Sequence, residues 1–356
     1  MGRRRVTLAD VAEASGVSAT TASLVLSGRA RELRISEAVE RRVRATAHEL
    51  GYRRNTLSVG LRTGRSQTIG FISDTVASSG LAGDMIRGAV EAAHRRGFMV
   101  FVGESGGDPV VERALVEAMH DRRVDGIVFA AMYTREVALP EGLHDGPAVL
   151  LNATSVSRST VHSVVPDEVQ AGRSAARVVV EAGHRSGVHL IGAGPGVDDI
   201  PPNSTAAVER LVGLREVFEA AGVEVVSAQR CPKWMPEDGY AATREVLRHH
   251  RPGVLVCFND RLAFGAYQAL GEAGLSVPDD VSVVGFDDHP IASWLRPRLT
   301  TVALPHHELG VRAVEVLLGL FERRRRGDRT PVVHRVPMPV REGGSVAPPR
   351  TADRAR

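Results

Sequence analysis

Apolar residues recur along this chain with two different periods. Near the amino end they fall at helical spacing: Leu8, Val11 and Ala12 on one face, then the run Ala19 to Leu26, then Val39, Val43, Ala47 and Leu50. Each run opens on a capping residue and closes on glycine. Thr7 stands three residues before Asp10, a variant of the capping box, and Ser18 and Ser36 precede the second and third runs. Gly16, Gly28 and Gly51 follow the three runs, where a positive φ is cheap. Two short helices joined through a glycine turn, with a third behind them, form the helix-turn-helix pattern. Leu8, Val11, Val17, Val25, Leu26, Val43 and Leu50 are expected to make its core.

From Thr68 the period changes, and short apolar runs alternate with amphipathic ones. Strands are expected over 68–73, 98–102, 124–130, 148–152, 188–193, 223–227, 254–258 and 281–286. Helices are expected over 83–96, 109–121, 167–183, 205–222, 236–250 and 260–274. Such alternation argues for parallel sheets covered on both faces. A body of about 280 residues exceeds one such sheet and predicts two doubly wound α/β lobes. Ligands of open parallel sheets bind beyond the carboxyl ends of the strands. Asp74, Asn259-Asp260 and Asp287-Asp288 fall there.

Charge sharpens the division. The 356 residues carry a net charge of +3, but residues 1–65 hold 13 arginines against six carboxylates, and the remainder is net acidic. A small basic module on a mildly acidic body is the electrostatic footprint of a nucleic-acid-binding head. In a helix-turn-helix the second helix enters the major groove. Ser18, Ala19, Thr20, Thr21 and Ser23 would then reach base edges, with Arg29 and Arg53 on phosphates.

The same composition narrows the classes. No run approaches the 18 apolar residues of a membrane helix, and Met1-Gly2-Arg3-Arg4-Arg5 leads into no apolar signal core. A cytoplasmic protein with no membrane partner is expected. Cys231 and Cys257 are too few for a disulfide scaffold or a four-thiolate metal site. Gly192, Gly194 and Gly196 follow a strand, as in a dinucleotide loop, but Pro201-Pro202 blocks the helix that should open there. No Gly-x-Ser-x-Gly elbow is present. The pairs His249-His250 and His306-His307 diverge on a helix and are expected in surface and capping roles. No catalytic residue, metal or cofactor is therefore expected.

Longer motifs carry a resemblance. Val6-Thr7-Leu8-Ala9-Asp10-Val11-Ala12, Gly16-Val17-Ser18, Val25-Leu26-Ser27-Gly28 and Leu50-Gly51-Tyr52-Arg53-Arg54-Asn55 resemble the headpiece of the lactose-repressor (LacI/GalR) family of transcription regulators. The likeness continues through Cys257-Phe258-Asn259-Asp260, Val277 to Asp288, Leu299-Thr300-Thr301-Val302 and Glu308-Leu309-Gly310, and so covers nearly the whole chain. It implies a helix-turn-helix headpiece over 1–54, a hinge helix and linker over 55–65, and an effector-binding core over 66–343. A disordered tail over 344–356 is expected from composition. The core would have the periplasmic-binding-protein fold, with crossovers between the lobes near 165, 291 and 329.

The resemblance also implies roles. Thr7 and Asn55 join the DNA contacts, and Leu61 falls at the family's minor-groove wedge. Arg210, Asn259 and Asp287 match effector-binding residues; Asp74, Ser79, Asp167 and Trp234 complete the expected cleft. The implied protein is a homodimeric regulator, by family default a repressor, whose affinity for a double-stranded operator responds to a small sugar-like effector. The alternatives are a solute-binding protein or a nicotinamide-type enzyme on the same core; the first would carry a secretion signal and no basic head. Five positions depart from the family: Leu24 where a polar contact is usual, Arg54 for a common proline, Gly60 in the hinge, and Leu81 and Ala82 where aromatic rings are frequent.

Overall fold

The computed structural model describes residues 6–31, 33–52, 65–156, 161–194, 204–323 and 331–350, with the side chains of 322 and 323 excepted. The chain divides into two compact units, Met1–Ser66 and Gln67–Arg356. The first unit holds α1 (Leu8–Ala14), α2 (Ala19–Leu26) and α3 (Glu37–Glu49). The expected caps form. Thr7 and Asp10 close a reciprocal capping box, and the Ser18 hydroxyl accepts from the Thr21 N–H at 3.1 Å. Val11, Ala12, Ala22, Val25, Ala30, Val43 and Ala47 make the core, with Leu8, Val17, Leu26 and Tyr52 packed on it. Leu50 corrects the expected set. It caps the carboxyl end of α3 and is exposed, while Tyr52 turns inward after Gly51 at φ +65°.

The second unit contains both lobes. In lobe 1 the sheet comprises β1 (Thr68–Ser73), β2 (Met99–Glu104), β3 (Gly126–Val137), β4 (Ala148–Ser155), β5 (His162–Pro166) and β11 (Val333–Val336), in the order β11-β5-β4-β3-β1-β2. Helices α4 (Gly83–Arg95) and α5 (Pro109–Asp121) connect its first strands. Lobe 2 orders β6 (Val188–Gly192), β7 (Val225–Arg230), β8 (Val254–Cys257), β9 (Ser282–Asp287), β10 (Thr300–Ala303) and β12 (Val340–Arg341) as β12-β10-β9-β8-β6-β7. Its helices are α6 (Glu168–Glu181), α7 (Thr205–Ala220), α8 (Pro236–His249), α9 (Asp260–Glu272) and the short α10 (Pro290–Trp294). The paired strands run parallel except β10 with β12. No helix among the described residues is long and apolar enough to cross a membrane.

The chain passes between lobes three times. The first crossover runs from β5 into α6. The second lies at 304–305, between β10 and α11 (His306–Arg323), rather than near 291. Residues 290–294 form a helical turn inside lobe 2, and β10 still follows them. The third lies at 337–339, between β11 and β12, rather than near 329. Strands β5, β10, β11 and β12 are too short for an apolar period to mark them in the sequence. The tail is a further correction. Ser345 is fully buried, its hydroxyl donating to the Val283 carbonyl at 2.6 Å and accepting from Thr300, so the chain is built into lobe 2 as far as Arg350, which pairs with Asp280.

Candidate functional site

In the first unit, the burial of Ala22 and Val25 turns the opposite face of α2 outward. Ala19 and Thr20 are exposed, and Thr21 and Ser23 are half-buried. The hydroxyls of Ser18 and Thr7 already serve as helix caps, and Ser18 Oγ lies 2.9 Å from Thr21 Oγ1. Both remain at the surface, where a cap oxygen keeps a second lone pair. Arg29 is exposed just beyond α2. Arg53, Asn55 and Leu61, and the expected hinge helix with them, lie outside the described residues.

In the second unit, the carboxyl ends of the lobe 2 strands converge on a buried ion cluster. Arg210, on α7, is 3% exposed. Its Nε donates to Glu168 Oε2 at 2.6 Å, Nη2 donates to Glu168 Oε1 and to Asp287 Oδ1, each at 3.0 Å, and Nη1 donates to the Phe258 carbonyl. The Phe286 ring lies under the guanidinium, 4.7 Å away. Burial pushes the Glu168 carboxyl upward despite its arginine, because Asp287 shares the same cation. The arginine is held charged. Asp287 sits at φ +97°, a conformation unfavourable for any residue but glycine, which aims its carboxylate back at Arg210.

The remaining expected residues play quieter parts. Asn259 caps α9: its Oδ1 accepts from the Leu262 N–H at 2.8 Å and its amide donates to the Trp234 carbonyl at 3.1 Å. Trp234 donates through its indole to the Gly192 carbonyl and sets its ring edge-on to Phe258. Asp167 caps α6 through the Gln170 N–H. Ser79 accepts from the N–H groups of Leu81 and Ala82 ahead of α4. Asp74, buried, accepts from the Met132 N–H and pairs with Arg135 at 2.8 Å. These polar atoms are satisfied inside the fold, as the general habit of Asn, Asp and Ser after strands would have it.

A cleft of about 600 Å³ opens between the lobes, within the size range of small-molecule sites. Asp287 and Asp288 line it from lobe 2, Gly80, Leu81 and Asp84 from lobe 1, and the segment 303–308 from the second crossover. Among the seven residues expected to bind effector only Asp287 is on this lining, beside its neighbour Asp288. Leu81 stands on the wall and Ala82 is fully buried, so no ring covers the cleft from that side.

From the sequence, Glu168 and Tyr133 are expected in no role, His306 only at the surface or as a cap, and Asp260 is marked only by its place after a strand. Glu168 had a signal: it begins the stripe Glu168, Ala171, Ala175, Val179, a buried helical face. Asp260 accepts from the Thr301 hydroxyl and from the His289 N–H, both at 2.7 Å, and burial beside Asp287 raises its pKa well above the usual carboxylate range. Tyr133 had no signal, because β3 runs on to Val137 instead of ending at Ala130; its ring is 57% exposed beneath Arg135. His306 corrects the expected surface role. It is 7% exposed and lines the cleft, whereas His307 bonds to Glu91 and His249 to Glu245 at the surface. No group of three or more metal-ligating side chains occurs among the described residues.

Two α/β lobes with three crossovers and a cleft at their strand ends define the periplasmic-binding-protein class of fold, here preceded by a helix-turn-helix unit. Residues 67–337 match the family described as periplasmic binding proteins and sugar binding domain of LacI family, and residues 7–55 match bacterial regulatory proteins, lacI family. The chain belongs to the LacI family of bacterial transcription regulators. It is 28% identical over 337 residues to the transcriptional repressor PurR of Klebsiella pneumoniae, covering 92% of this chain and 94% of that one. It is 28% identical over 316 residues to the ribose operon repressor of Escherichia coli K12, covering 88% and 92%. The solved complex of the transcriptional regulator CelR with cellobiose superposes with a TM-score of 0.63 at 26% identity, over 96% of this chain and 100% of that one.

Proposed function

We propose that this regulator is a repressor that binds a near-palindromic operator as a homodimer and changes its DNA affinity when a small sugar-like effector occupies the inter-lobe cleft. The single observation that carries the reading is the placement of Asp287: a strained carboxylate, held by buried Arg210, standing on the wall of a cleft lined by both lobes. Arg210, Asn259, Asp74, Asp167, Ser79 and Trp234 then act as its frame. Relatives that repress operons, and one solved with cellobiose, support the same reading.

Two-fold symmetry would set two copies of α2 on neighbouring half-sites, with Ala19, Thr20 and Ser23 on base edges and Arg29 and Arg53 on phosphates. Leu61 would enter the central minor groove and Asn55 would lie beside it. An apolar edge supports a dimer: Met99, Phe101 and Val102 of β2 are exposed, with Val90 nearby on α4. Effector binding regulates DNA affinity only by favouring one lobe arrangement over another. No step of this scheme calls for catalysis, and the protein would act in the cytoplasm.

The test is selection of genomic fragments by the purified full-length protein, repeated with neutral sugars added. A short near-palindrome, released or tightened by one sugar, is the expected result. Failure to enrich any site with or without sugar would overturn the regulator reading.

A further inference from the structure

Resting on that effector reading, we infer that the cleft takes an uncharged, hydroxyl-rich ligand and that His306 is the specificity-determining residue that hydrogen-bonds it. Two independent observations lead there.

The first is an orphaned polar atom. His306 opens α11 at the second crossover, is more than nine-tenths buried, and lines the cleft, yet its Nε2 is enclosed with no hydrogen-bond partner. A buried imidazole nitrogen left unpaired is unfavourable, and such atoms in folded proteins are met by a partner or a ligand. Burial lowers the His306 pKa, with Asp287 and Asp84 drawing it back up, so the ring is neutral and offers one donor and one acceptor. A hydroxyl that reaches Nε2 can answer it as donor or as acceptor.

The second is the charge inventory. Arg210, the cation buried behind the wall, is already neutralised by Glu168 and Asp287, which leaves that cluster with an excess negative charge. The lining itself holds Asp84, Asp287, Asp288 and Glu308 against one guanidinium, Arg341, which faces Asp288 at 3.5 Å. The partial positive charge at the start of α11 is met by Glu308 in its first turn. A phosphate or carboxylate entering here would find carboxylates and, among the described residues, no unclaimed cation, whereas sugar hydroxyls can donate to the free lone pairs of Asp287 and Asp288.

The experiment screens neutral pentoses, hexoses and disaccharides beside their phosphate esters by thermal shift, then titrates hits calorimetrically into wild type, His306→Phe and His306→Gln. The expected result is one neutral sugar bound, at least tenfold weaker in His306→Phe and largely recovered in His306→Gln, with circular dichroism and operator binding unchanged. A phosphate ester bound more tightly than its parent sugar would overturn the charge argument. Equal affinity of wild type and His306→Phe would overturn the role of His306. If operator binding is intact and no member of the panel binds, the sugar-effector reading itself fails, and this inference falls with it.

Discussion

Gly172 of α6 lies against the backbone of Arg210 on α7 so closely that a Cβ at that position would overlap the Arg210 carbonyl oxygen. Gly213, one turn further along α7, meets the Val169 carbonyl in the same way. The two glycines let the helices approach until Glu168 and Arg210 can join as a two-pronged pair. Gly172→Ala should therefore move α7 rather than merely crowd it. We expect a loss of about 1–3 kcal/mol, as for overpacked contacts, together with a weaker effector response. Urea denaturation and operator release measure the two effects, and an unchanged response with lower stability would show that the site tolerates the shift.

The ion cluster itself should be costly to break. Arg210→Met leaves the buried Glu168 beside the partly buried Asp287 with no cation between them, and removal of one member of a buried pair costs about 3–5 kcal/mol. Glu168→Gln should cost less, because Asp287 still answers the guanidinium. The order of the two midpoints in urea decides the matter; a Glu168→Gln variant less stable than Arg210→Met would contradict the assignment.

Tyr133 is an exposed aromatic ring of lobe 1 that is not part of the cleft lining. Its ring, within β3, is held by Arg135 at 4.8 Å, which Asp74 fixes in turn. Since the side chain is more than half exposed, Tyr133→Ala should change stability by no more than about 0.5 kcal/mol. If it stacks on the effector, ligand affinity falls several-fold with DNA binding intact. A calorimetric titration that gives the wild-type affinity would exclude a ligand contact at Tyr133.

Acid should loosen lobe 2 through His189. Burial, helped by the neighbouring His250 ring, lowers its pKa to about 4, below the ordinary value of 6.5. The unfolded chain thus takes up a proton near pH 6.5 that the folded chain refuses until pH 4. Stability from this group is present above pH 6.5 and is lost as pH falls towards 4, by up to roughly 3 kcal/mol. Unfolding free energies measured across that window should show the decline. It should flatten in His189→Gln, which can keep the bond to Ser227.

On the DNA side, exposure separates reading from folding. Thr20→Ala should alter operator preference while leaving the melting of the first unit unchanged, whereas Ala22→Leu, in its core, should unfold it. Affinity should fall by orders of magnitude between about 50 and 200 mM salt if several arginines neutralise phosphates. Fluorescence anisotropy with labelled duplex reads both, and a flat salt response would contradict the basic head.

Much of this was written locally. The three helices of the first unit, their serine and threonine caps and their glycine stops follow from spacing within a dozen residues, and the structure keeps them. The alternation of strand and helix is equally local, and most elements fall within a few residues of their expected bounds. Asn259 and Asp287 stood out because each follows a strand, and Arg210 because its surroundings resemble the family's effector-binding motif. What depends on distant partners was hidden. The second crossover lies at 304–305 because β10 pairs with β9 before the chain leaves lobe 2, and no local signal marks that pairing. Asn259 and Asp167 look like ligand-binding groups but are spent as caps, a fact decided by which N–H groups surround them. Glu168 reads as an ordinary first-turn acid until Arg210 arrives from a helix 42 residues away. His306 is one half of a surface-looking pair in the sequence; only the tertiary structure buries its ring and leaves its neighbour His307 half-buried against Glu91. Periodicity and capping are properties of neighbours along the chain. Burial, charge compensation and an unanswered hydrogen bond arise between segments that only the tertiary fold brings together.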